Sequence, residues 1–176
     1  MKLPWRKKQQ PPAEAVRVLV VCMGNICRSP MAEGVLRQRL AARELPLPVE
    51  VDSAGTHGYH RGAPPDPRAQ AAALRRGVDI SMLRARQFET ADFSRFDLLL
   101  VMDQNNRAVL REAAPEEFQA KIRLLLEFAP GGGEGSVPDP YYGGSTGFER
   151  VLDMIEESMD GLLLELERLA AGKARP

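Results

Sequence analysis

The sequence lacks most of what would mark it for a polyanion, a membrane or an oxidising compartment. Lys and Arg number 24 and Asp and Glu 24, so the formal net charge is zero. No global basic field favours nucleic acid, and no nucleic-acid partner is expected. No apolar run approaches the roughly 20 residues that a membrane helix needs, so no membrane span is expected. The stretch from Met1 to Pro12 has no signal-type apolar region, which makes the cytoplasm the expected location. Two cysteines cannot build a disulfide scaffold or a four-thiolate metal site. The only two histidines, His57 and His60, stand at no ligand spacing with Cys or carboxylate and read as solvated loop residues. Neither a metal nor a cofactor is expected.

What is present suits one soluble α/β domain. Hydrophobic residues make up 44% of the 176, enough for a core, and charged residues 27%, too few for disorder. Residues 1–15 read as a flexible basic, proline-bearing tail and residues 16–172 as the domain. Val16 to Val21 is a β-branched run of the kind buried in a parallel sheet. Pro30 then opens a helix in its first turn, where a missing N–H costs nothing. Further strands are expected at Val49 to Ser53, Asp97 to Met102 and Lys121 to Glu127. Helices are expected at Arg68 to Gly77, Gln104 to Ala113 and Phe148 to Leu169. Two Gly/Pro-rich segments, Gly55 to Pro67 and Gly131 to Gly147, read as irregular and hold all three tyrosines. The alternation predicts a single-domain, doubly wound, four-stranded parallel sheet flanked by helices.

In such sheets ligands bind beyond the carboxyl ends of the strands. The residue after the first strand is Cys22, and Cys22-Met-Gly-Asn-Ile-Cys-Arg-Ser29 links that strand to the helix. Amides of a tight loop feeding a helix N-terminus gather an anion. Gly24 allows close approach or an unusual backbone angle, and Asn25 tolerates left-handed geometry. Arg28 offers a planar two-point grip on phosphate-like oxygens. Cys22 among these groups suggests a thiolate that attacks phosphorus, with Ser29 giving it a hydroxyl hydrogen bond.

The run Cys22 to Glu33 resembles the signature of the low-molecular-weight protein tyrosine phosphatases. The similarity extends to Asp52-Ser-Ala-Gly-Thr56, Pro65-Asp-Pro-Arg-Ala69, Arg84-Ala-Arg-Gln87, Val101-Met-Asp103 with Asn106, and Asp139-Pro-Tyr-Tyr142. The resemblance implies that Cys22 is the nucleophile, Arg28 the phosphate clamp and Asp139 the general acid and base, with a phosphocysteine intermediate. It implies phosphate binding by Met23, Gly24, Asn25, Ile26, Cys27 and Ser29, and an aromatic wall of Tyr59, Tyr141 and Tyr142. It also implies a phosphotyrosine-bearing protein as partner, a bacterial tyrosine kinase among the candidates, and a monomer or weak dimer. Two positions depart from the pattern. Leu83 replaces a common His that helps to hold the loop's Asn and Ser, and Tyr59 stands where Trp is frequent.

Two other activities share this loop. A protein-arginine phosphatase branch carries Thr where this chain has Ile26, whose apolar side chain suits a phenyl ring better than a guanidinium. An arsenate reductase needs further downstream cysteines, and none follows Cys27. Cys27 is expected either as a buried helix-start thiol or as a partner that captures oxidised Cys22 in a disulfide.

Overall fold

The structure, a computed structural model, describes residues 14–175; most of the expected tail, residues 1–13, lies outside the described residues. Strand β1 (Val16–Cys22) pairs in parallel with β2 (Val49–Gly55) on one side and β3 (Leu98–Val101) on the other, and β3 pairs with β4 (Ile122–Leu124). The sheet order is therefore β2-β1-β3-β4.

The period of two in a strand divides the core between the sheet's two faces. Val16, Val18, Val20 and Cys22 pack with α1 (Arg28–Ala41), α2 (Pro67–Arg75) and α5 (Ser145–Lys173). Leu19 and Val21 turn to the other face, where α3 (Asp92–Arg95) supplies Phe93 and α4 (Gln104–Ala113) supplies Leu110. The expected fold is the observed one. The chain leaves β1 toward one edge and returns to β3 to build toward the other. The carboxyl ends of β1 and β3 thus flank the crevice where such sheets take ligands.

Some boundaries differ from expectation. The fourth strand is three residues long, not seven. Glu127 folds back to accept from the Leu124 N–H (3.2 Å), and the chain tightens into a 3-10 turn over Leu125–Phe128. Leu124, Leu125 and Leu126 gave an apolar run that periodicity cannot separate from strand. Helix α1 begins at Arg28, two residues before Pro30. Helix α5 starts at Ser145 and outlasts Leu169, because Lys173 donates to the Ala15 carbonyl (2.7 Å) and to Asp97 Oδ2 (3.0 Å). Helix α3, at four residues, is too short to show a period. Gly77 does stop α2, with φ +78°. Among the described residues no helix is long and apolar enough to cross a membrane.

The 3-10 turn after β4 launches the second irregular segment, and α5 crosses it closely at Gly161. A Cβ there would collide with the Phe128 carbonyl oxygen. Gly161→Ala is therefore expected to lower stability by about 2 kcal/mol despite the better helix propensity of alanine. Gly172→Ala, in open space on the same helix, is expected to raise it by up to about 1 kcal/mol. Urea midpoints of the two variants against the parent check the contrast; equal shifts would refute the close crossing.

Candidate active site

Between β1 and α1 the chain curls over Cys22 to Ser29. The carbonyls of Cys22, Met23 and Ile26 are drawn outward by the N–H groups of Thr56 (2.9 Å), His57 (3.0 Å) and Asp66 (2.8 Å). Each peptide is planar, so the N–H groups of Met23, Gly24 and Cys27 face the opposite way, toward the inside of the loop. Cys27, at the N-cap of α1, makes no side-chain cap bond, which leaves the positive end of the helix open to a ligand.

Asn25 is the loop's fixed point. Its φ of +57° is the only positive value at a non-glycine among the described residues. Its side chain is 3% exposed and fully bonded. Nδ2 donates to Ser29 Oγ (2.8 Å) and to Ser53 Oγ (2.9 Å), while Oδ1 accepts from the Arg86 N–H (3.0 Å). These partners fix which way the amide points. Ser29 Oγ accepts from Asn25, and Cys22 Sγ at 3.0 Å is the one acceptor among the described residues for its own hydrogen, so we assign the hydroxyl as donor to the sulfur. The Asn25 N–H is a second donor to Sγ, at 3.3 Å. Cys22 is 2% exposed, and its sulfur sits as an acceptor between two donors. Gly24 earns its place by close approach rather than by φ, since a Cβ would meet His60 Cδ2 at 3.1 Å.

The network continues beyond the expected residues. Ser53 donates to Glu33 Oε1 (2.7 Å), and Glu33 Oε2 accepts from Arg37 Nε (2.9 Å). Burial pushes the Glu33 carboxyl above its ordinary range, opposed by the bonds from Ser53 and Arg37. Leu83 is half-buried against the hydrophobic core, so Ser53, Glu33 and the Arg86 backbone hold Asn25 in a chain that lacks the common His. Gly55 belongs to the same support, because a Cβ would press on the Met23 and His57 carbonyls at 2.8 and 2.9 Å. Sequence reasoning missed Ser53, Glu33 and Gly55 as supports; all three stood inside noted motifs, but nothing local showed what they touch.

Arg28 is 3% exposed and held from one side. Its Nη1 donates to Asp103 Oδ2 (2.6 Å) and to the Val137 carbonyl (3.0 Å). Asp103 at the same time caps α4, accepting from the Asn106 N–H through Oδ1 (2.7 Å). It too was missed as a site residue, though an Asp just past a buried strand and before a helix is a legible N-cap. The Val137 N–H donates to the Met102 carbonyl (2.8 Å), docking the second irregular segment on the end of β3. That segment carries Asp139, whose Oδ2 lies 3.7 Å from Arg28 Nη2 and whose Oδ1 accepts from the Tyr141 N–H (3.0 Å).

These groups surround a cavity of about 290 Å³ with Cys22, Arg28 and Asp139 in its lining and Tyr59, Tyr141 and Tyr142 around it. Met23, Gly24, Ile26 and Cys27 line it as well, while Asn25 and Ser29 lie behind it as supports. His60 was expected in solvent; it lines the cavity instead, with its ring 6.5 Å from that of Tyr141. His57 stacks on Tyr59 at 5.3 Å. Both cysteines are free, and burial pushes the Cys27 thiol up to about 12, so at neutral pH Cys27 stays protonated. Among the described residues no group of three or more His, Cys, Asp or Glu is placed to hold a metal ion.

A family model described as low molecular weight phosphotyrosine protein phosphatase matches residues 17–172. A Streptomyces coelicolor protein named low molecular weight protein-tyrosine-phosphatase is 47% identical over 161 residues, covering 90% of this chain and 98% of its own. The crystal structure of a protein tyrosine phosphatase from Entamoeba histolytica superposes with a TM-score of 0.82 at 37% identity, covering 87% of this chain and 97% of that one. The structure of YfkJ from Bacillus subtilis gives 0.82 at 35% identity over 90% and 99%.

The buried carboxyl of Glu33 has a measurable consequence. A carboxyl with a raised folded pKa favours folding below its unfolded pKa, and that contribution is lost as pH rises through the folded value. Glu33→Gln keeps an acceptor for Ser53 and removes the titration. The stability of the variant relative to the parent is therefore expected to rise from pH 4 to pH 8. Denaturation midpoints across that range read it, and a pH-independent difference would contradict the assignment.

Proposed function

The chain belongs to the low-molecular-weight phosphotyrosine protein phosphatase family and is a protein-tyrosine phosphatase, a phosphoric monoester hydrolase; on that premise we propose that it works by double displacement at Cys22. The observation that carries this reading is the sulfur's position, an acceptor between Ser29 Oγ and the Asn25 N–H at the floor of an amide-lined loop.

The phosphoryl oxygens lie among the loop amides and Arg28, whose Nη1 is occupied by Asp103 and Val137. That leaves the rest of the guanidinium for the substrate. Cys22 Sγ attacks phosphorus, an S–P bond forms, and the P–O bond to the phenyl ring breaks. The electron pair goes to the phenolic oxygen, which takes a proton from the Asp139 carboxyl. A water then gives a proton to the Asp139 carboxylate as its oxygen attacks phosphorus. The S–P bond breaks, releasing inorganic phosphate and restoring the thiolate. The loop donors and Arg28 surround phosphorus in both steps, so they can meet the charge that develops on its oxygens in each transition state.

The walls favour an aryl ester. Tyr59 and Tyr142 are 81% and 88% exposed, which suits gripping a ring at the mouth better than packing a core. Ile26 adds an apolar surface to the cavity. The partner we propose is a phosphotyrosine-bearing protein, with a bacterial tyrosine kinase supported by family resemblance alone. Two free buried thiols suit a reducing compartment, which supports the cytoplasm.

Cys22→Ser is expected to abolish turnover while leaving inorganic phosphate binding within about twofold, and Asp139→Asn to cost about 10²–10⁴-fold on poor leaving groups. Full turnover by either variant on phenyl phosphate would remove its residue from the mechanism. For specificity, a phosphotyrosine peptide is expected to exceed a matched phosphoarginine peptide in kcat/KM by at least about tenfold. The reverse order in a competition assay would move this chain to the arginine-directed activity.

A further inference from the structure

Arg68 makes contacts that an exposed arginine in the first turn of α2 does not need. Its Nε donates to Asp66 Oδ1 (3.1 Å) and its Nη2 to Asp66 Oδ2 (2.9 Å). Nη2 also donates to the Tyr141 carbonyl (3.0 Å), and Nη1 to the Gly143 carbonyl (3.3 Å). The guanidinium lies 4.8 Å from the Phe148 ring centre and 5.6 Å from that of Tyr141. An ion pair at the surface is weak when it stands alone. Here the planar fork is oriented by Asp66 and stacked on one aromatic ring, so its remaining donors point in a fixed direction.

Both ends of this arrangement reach catalytic backbone. Asp66 accepts from the Arg68 N–H (2.8 Å), which caps α2, and its own N–H donates to the Ile26 carbonyl of the phosphate loop (2.8 Å). At the other end, the Tyr141 carbonyl is held by Arg68 while the Tyr141 N–H holds Asp139 Oδ1. One residue thus passes the position of Arg68 to the carboxyl. The connection runs from Ile26 through Asp66 and Arg68 to the Tyr141 backbone and Asp139. We propose that Asp66 and Arg68 form a latch that sets the distance between the phosphate loop and the proton on Asp139, making Arg68 a positioning residue for leaving-group protonation.

The inference rests on Asp139 being the general acid, and the test separates the two. Arg68→Ala, Asp139→Asn and the double variant are assayed on aryl phosphates whose phenols range from strongly to weakly acidic. Arg68→Ala is expected to lose about tenfold in kcat on phenyl phosphate, and less than about twofold on an activated nitrophenyl ester, since proton donation matters only for the poor leaving group. Inhibition by inorganic phosphate stays within about twofold of the parent, because the loop itself is untouched. In the Asp139→Asn background the same change is expected to cost less than about twofold more, as two groups acting in one step are not additive. Arg68→Lys, which reaches one carbonyl but has no fork, is expected to fall between and serves as the second variant if Arg68→Ala melts early.

A uniform loss across leaving groups, no loss at all, or a full tenfold loss retained without Asp139 each overturns the latch. If Asp139→Asn itself shows no dependence on the leaving group, the acid assignment fails and the latch with it. If Asp139→Asn shows that dependence and neither Arg68 variant does, only the latch is overturned.

Discussion

The left-handed turn at Asn25 is the constraint on which the site depends. A non-glycine residue at φ +57° carries a conformational cost of roughly 1–2 kcal/mol. Three side-chain bonds, buried to Ser29 and Ser53 and partly buried to the Arg86 backbone, offset it at about 1 kcal/mol each. The same turn reverses the chain so that its amides can close on one point. Asn25 also decides the polarity of its neighbours. By donating to both serines it leaves the Ser53 hydrogen for Glu33 and the Ser29 hydrogen for the sulfur. A glycine would adopt the turn without strain and keep the backbone donor to the sulfur, but it would remove the amide that holds the Ser29 and Ser53 hydroxyls.

The chain's zero net charge is compatible with an anion site because the carboxylates near the guanidinium have separate tasks. Asp103 is spent on Nη1 and on the start of α4. It anchors Arg28 and caps α4 with its two oxygens. Asp139 stands 3.7 Å from Nη2, beyond hydrogen-bond range, and is tied instead to the Tyr141 N–H. A carboxylate that paired fully with Arg28 would compete with the substrate. Held to one side by its own loop, Asp139 is placed for the proposed proton exchange without being fully paired to Arg28.

How much of this the residues disclosed depended on range. The fold followed from alternating strand and helix patterns, and the loop from its place after a buried β-branched strand, since both are local. β4 was misjudged because three consecutive leucines satisfy a strand and a buried turn equally. The supports of Asn25 were invisible for another reason: Ser53, Glu33 and Arg86 are ordinary polar residues whose partners lie 28, 20 and 61 positions away. Burial makes them informative, and burial is a tertiary property. Asp139 was legible only through resemblance, as an Asp-Pro in a loop has turn formation as its commonest use. The resemblance also left a gap at Leu83; in this chain Asn25 is held by Ser29, Ser53 and the Arg86 N–H.

The proposed nucleophile and acid come from segments with little regular structure, separated by more than a hundred residues, and the arginine side chains that hold these segments grip their backbone carbonyls rather than the rings of the wall. Val137 docks through its N–H on the end of β3 and through its carbonyl on Arg28. Ile26, Tyr141 and Gly143 are held through their carbonyls. Anchoring by backbone leaves Tyr59, Tyr141 and Tyr142 free to present their rings at the mouth. Residues on the wall can then vary, as Tyr59 does from the common Trp, without moving the acid relative to the sulfur. Separating the grip on the ring from the spacing of the reacting groups allows one loop chemistry to serve different phosphorylated partners.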